Sequence, residues 1–175
     1  MKYNTNYMLT HDIDWFCIIN GLYVHVASAG GIIPEALRDR EELRQLQHIV
    51  SNAPFLFSEN EIVYNERFLN SRFHDGESRE DYVRSFRDMA RKGFVSMDRT
   101  DWINPQSNDY HVVCCPNRNL RPIIPEGVVL KNSCIIQIEA LELNSETKGV
   151  KLLNFSLQII GKATNRNGSI PLGLT

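Results

Sequence analysis

The sequence predicts an α+β fold, a mainly antiparallel sheet built from hairpins with two to three helices packed against it. Two observations lead there. Apolar runs of strand length come in pairs parted by turn residues, at Asp14–Ser28 and again at Cys134–Ile160. Two amphipathic helical stretches lie between those pairs, whereas a parallel α/β sheet would alternate strand and helix throughout.

The first hairpin is the clearest element. Asn20-Gly21 is the preferred pair for a two-residue type I′ turn, because both positions tolerate positive φ. That turn sets Ile19 opposite Leu22, Cys17 opposite Val24 and Trp15 opposite Val26, which puts six apolar residues on one face. A slip of one residue would scatter them over both faces, so turn and core pattern agree. The second face carries Asp14, Phe16, Ile18, Tyr23, His25 and Ala27 and reads as a surface covered in part at most.

Gly30-Gly31 closes the hairpin. A helix is expected to begin near Asp39, where Asp39 and Glu42 have the spacing of a capping box and Leu43, Leu46 and Val50 recur at helical period. A second helix is expected from Ser78 to Lys92, with Tyr82, Phe86, Met89 and Ala90 as its apolar face and Gly93 placed to end it. Between them, Ser58-Glu59-Asn60-Glu61 is placed to cap a short helix through Leu69. Strands follow at Phe94–Met97 and Tyr110–Cys115, separated by the polar loop Asp98–Asp109. The final pair is Cys134–Leu143 and Val150–Ile160, the first with a β-bulge expected near Ala140. Residues 165–175 read as a loose tail, and no linker or repeat divides residues 1–175, so one domain is expected.

Composition narrows the function classes. The 175 residues carry 19 basic and 21 acidic side chains, a formal charge of −2, which gives no overall attraction to nucleic acid or anionic lipid. Met1–Tyr7 is polar and leads into no apolar run, so no secretory signal and no membrane segment are expected, and the stretch before Asp12 is expected to be loose. The four cysteines, Cys17, Cys114, Cys115 and Cys134, lack CxxC spacing and read as reduced thiols of a cytoplasmic protein.

Four constellations carry possible chemistry. Asp12 and Asp14 point to one face of a strand, and the hairpin register adds His25, a set whose chemistry suits a divalent metal in a hydrolase. The run Leu9-Thr10-His11-Asp12-Ile13-Asp14 resembles the first motif of some NodB-like polysaccharide deacetylases, whose paired aspartates act as catalytic base and metal ligand. The likeness covers six residues and lacks that family's paired histidines, since no two histidines here lie closer than 14 positions. Cys114 or Cys115 with a histidine would make a nucleophile and base, yet His111 stands about 13 Å from Cys115 along one strand. Arg84, Arg87 and Arg91 form a stripe able to grip phosphate or RNA, with Asp81 and Asp88 on the same side to neutralise it. Ser28–Pro34 is a small-residue turn without the lysine of a phosphate loop. A binding domain for an unidentified ligand or protein, using the second hairpin face (Phe16, Ile18, Tyr23) or the long loops, is the expected function. No cofactor is part of that reading, and nucleic acid is not an expected partner.

Overall fold

A computed structural model describes residues 1–19, 22–106, 109–118, 120–124, 135–138 and 155–156. Strands β1 (Asp14–Ile19) and β2 (Leu22–Ala27) pair antiparallel with Ile19 opposite Leu22, Cys17 opposite Val24 and Trp15 opposite Val26. The turn Asn20-Gly21 lies outside the described residues, and the register leaves room for those two residues alone. The expected apolar face is buried at Trp15, Cys17, Ile19, Val24 and Val26.

The second hairpin face is not the open surface that the sequence suggested. Phe16, His25 and Ala27 are buried as well, because helices cover the sheet on both sides. On one side, Leu43, Leu46 and Val50 of α2 (Arg40–Ser51) share a core with Trp15, Cys17, Val26, Met97 and Val112. On the other, Leu69 of α3 (Glu66–Arg72) and Val83, Phe86 and Ala90 of α4 (Gly76–Arg91) pack with Ala27, Val113 and Cys114.

The seven strands run in the order β3-β5-β4-β2-β1-β6, with β7 paired to β5. Here β3 is Ile62–Tyr64, β4 Val95–Arg99, β5 Asp109–Pro116, β6 Ile135–Ile138 and β7 Phe155–Ser156. Four pairings are antiparallel, while β2 with β4 and β1 with β6 run parallel. The fold is therefore α+β with a mixed, mostly antiparallel sheet. In their described parts the last two expected strands pair with β1 and β5, not with each other, and the bulge expected near Ala140 lies outside the described residues. A register shift occurs instead between β4 and β5, where Ser96 faces Cys114 but Met97 faces Val112.

Helix ends follow side-chain chemistry. The Asp39 carboxylate accepts from the amides of Glu41 and Glu42 at the start of α2, as its position predicts. Helix α4 starts two residues before Ser78, because Asp75 caps it by accepting from the Ser78 amide. Gly93, at φ +101°, ends it; a Cβ there would press on the Leu120 carbonyl and Pro122. The expected helix through Leu69 is split: Ser58 and Glu61 close a single 3-10 turn, β3 follows, and Asn65 starts α3. Asn65 accepts from the Phe68 amide while its Nδ2 donates to the Val112 carbonyl and its amide to the Val113 carbonyl, which occupies β5 where its register shifts.

One expectation, a loose stretch before Asp12, is overturned, and one feature had no counterpart in the sequence reading. The segment before Asp12 is folded, with α1 (Thr5–Thr10) capped by Asn4 and anchored by the buried Met8 and Tyr3. Lys92, next after α4, is buried and its Nζ donates to the Val50 and Ser51 carbonyls at the end of α2, 3.0 and 2.7 Å away. It joins the two helical layers past the sheet. Among the described residues, no helix is long and apolar enough to cross a membrane.

Candidate functional site

The inner strands of the sheet bring together a group of polar side chains. The strand registers place His25 of β2 beside Ser96 of β4, and Asp98 of β4 beside His111 of β5. His25 is 2% exposed, and both its ring nitrogens are bound: Nε2 lies 3.0 Å from Asp14 Oδ1 and Nδ1 lies 2.8 Å from Ser96 Oγ. Burial works against ionisation of Asp14, but the hydrogen bond and charge of His25 outweigh it and hold the carboxyl below its usual range. With Asp14 ionised, Nε2 is the nitrogen that donates to it, and the other ring nitrogen faces the Ser96 hydroxyl. Serine, imidazole and carboxylate thus stand in the order of a nucleophilic relay, but Ser96 is 0% exposed.

A second chain of hydrogen bonds adjoins the first. Tyr82 of α4 donates to Asp98 Oδ2 at 2.7 Å, and its hydroxyl lies 3.4 Å from His111 Nε2, while His111 Nδ1 lies 3.2 Å from Thr100 Oγ1. Phe68 of α3 lies against the His111 ring, 3.8 Å between centroids. Burial raises the Asp98 carboxyl to about 6, and the nearby charge of Asp12 adds to the rise. Burial acts on His111 in the opposite sense and lowers it to about 4, so the ring is neutral at neutral pH. The sequence reading missed Ser96, Asp98, Tyr82 and His111 as a group. Its one available signal was the polar pair Ser96 and Asp98, two apart on β4 and alternating with Val95 and Met97.

The predicted metal set is brought together only in part. Asp14 meets His25, whereas Asp12 Oδ1 accepts from the Ala29 amide at 2.7 Å and from Ser28 Oγ at 3.3 Å. Among the described residues, no three His, Cys, Asp or Glu side chains are placed to hold a metal ion. Cys17, Cys114 and Cys115 are free and buried, and burial lifts the Cys115 thiol to about 11 and the other two upward as well; Cys134 lies outside the described residues. The arginine stripe is dispersed into ion pairs: Arg84 with Asp81, Arg87 with Glu80, and Arg91 with Glu59 and Asp88. Only Arg84 is the solvated side chain that the stripe implied, since Arg87 and Arg91 are largely covered.

The glycine turn and the loop after β4 form one built surface. The space that Gly31 leaves is taken by the Arg99 guanidinium, which a Cβ would overlap. Arg99 is 3% exposed and donates to the carbonyls of Ser28 and Asn104. Asp101 Oδ1 accepts from the amides of Ile103 and Asn104, and the Pro105 carbonyl accepts from the Ile32 amide. On this fastened turn Trp102 and Ile103 are 59% and 77% exposed. No protein family, curated protein or solved structure matches the chain.

Proposed function

We propose that this chain is a non-catalytic protein-binding domain of an intracellular protein, and that it recognises its partner with the loop at residues 98–106. The observation that carries this reading is the exposure of Trp102 and Ile103 on a turn whose backbone is already fixed by Asp101, Arg99 and Ile32. Tryptophan is among the residues that dominate binding energy at interfaces, and a preordered loop loses little entropy on docking. The second hairpin face gives this reading no support, because Phe16 is buried.

The polar cluster on the inner strands supports a structural role. Its serine and both its histidines are buried and hydrogen-bonded within the cluster, which favours packing over chemistry. A metal-dependent hydrolase on Asp12, Asp14 and His25 remains the second reading, favoured by the 3.0 Å contact of Asp14 with His25. It separates from the first under added Mg2+, Mn2+ or Zn2+, where a site would raise the melting temperature of the wild type but not of Asp14→Asn. The phosphate or RNA reading through Arg84, Arg87 and Arg91 is disfavoured by the carboxylate that each arginine already pairs with.

The binding reading is tested by photo-crosslinking in cells. A benzophenone side chain replacing Ile103 is expected to trap another protein as a discrete adduct, and one replacing Arg84 is not. The same adducts from both positions, or none from position 103, would refute it.

A further inference from the structure

We infer that the partner presents a basic segment to the Trp102–Ile103 tip, an arginine or lysine lying over the Trp102 ring with an apolar neighbour against Ile103. This rests on the protein-binding reading and adds the chemistry of the partner.

Within residues 98–106 two carboxylates, Asp98 and Asp101, stand against one cation. Arg99 is the one cation of residues 98–106, and its guanidinium is turned inward onto the Ser28 and Asn104 carbonyls. Asp101 flanks the exposed pair directly, and its Oδ1 accepts the two amides that fix the turn. An exposed indole next to a carboxylate is a favourable seat for a guanidinium or ammonium. The ring face attracts the cation, and the carboxylate supplies a charge-assisted hydrogen bond. Ile103, more exposed still, leaves an apolar contact beside it. A phosphate-rich partner would meet repulsion from Asp101.

The test uses the full chain and two fluorescent twelve-residue peptides, one alternating Arg with Leu and the other alternating Glu with Leu. The Arg peptide is expected to bind at least tenfold tighter at low salt, and its affinity to fall as salt rises. Trp102→Ala should weaken it tenfold or more, and Asp101→Glu should retain more of the affinity than Asp101→Asn. Equal binding of both peptides, lost in Trp102→Ala, would overturn the charge inference and leave the binding surface standing. Binding of the Arg peptide unchanged by Trp102→Ala, or no binding of it at all, would also overturn the inference. The crosslinking experiment decides the underlying reading separately.

Discussion

Asp98 and His111 are cross-strand neighbours whose buried site shifts them in opposite senses, and their effects on stability oppose each other. Asp98 is raised from 3.8 to about 6, so its contribution is full below the unfolded value and is lost as pH rises through about 6. His111 is lowered from 6.5 to about 4, so its contribution is full above 6.5 and is lost as pH falls through about 4. Between those values the two offset each other, and each is worth about 2 kcal/mol over pH 4.5 to 6.5. Urea unfolding at both pH values should therefore show Asp98→Asn gaining about 2 kcal/mol relative to wild type as pH rises, and His111→Gln losing a similar amount. Parallel slopes in all three proteins would remove this account. Gly31 permits a second test at the same scale. Gly31→Ala should displace Arg99 from the Asn104 carbonyl, lower stability by about 1–3 kcal/mol and speed proteolysis within residues 98–106. Gly76→Ala, with nothing within 4 Å of the added carbon, should do neither.

Elements defined by their own residues were legible in the sequence. The hairpin register followed from Asn20-Gly21 and six apolar positions, and the start of α2 followed from Asp39, because turn and cap chemistry act over a few residues. The sequence predicts one helix from Ser58 through Leu69 because Ser58 and Glu61 do form a capping box, though it closes only a 3-10 turn. What divides the segment is Asn65, whose role depends on β5, 47 residues away along the chain. Asn65 is both the cap of α3 and a donor to the Val112 carbonyl. Asn65→Ala should cost about 2–3 kcal/mol, the sum of a lost cap and a buried carbonyl left without its donor. Asn65→Asp keeps the capping acceptor but cannot donate, so it should rescue little. Full rescue would assign the whole effect to the cap.

At the scale of the whole molecule, the candidate site was legible only where the hairpin alone determines it. Asp14 and His25 were placed on one face correctly, since their register is local. Ser96, Asp98, Tyr82 and His111 join them through pairings of β2 with β4 and β4 with β5 and through the docking of α4, none of which a periodicity encodes. The same layering explains the error on the second hairpin face: a strand facing a helix from elsewhere in the chain looks like a half-open strand in sequence. Because Cys17, Cys114 and Cys115 lie inside these layers, those three should label slowly with a thiol reagent in native protein, and denatured protein prepared without reductant should yield four thiols. Fewer than four would mean a disulfide. The Lys92 ammonium gives the layers a shared fate. Its bonds to Val50 and Ser51 tie the end of α4 to the end of α2, so lifting either helix strips a buried cation of its acceptors. Peeling one layer by partial unfolding is thereby discouraged, and amide exchange in α2 and α4 should open in a single cooperative step. Lys92→Met should let the two helices exchange at different denaturant concentrations, so that the protein unzips one layer at a time.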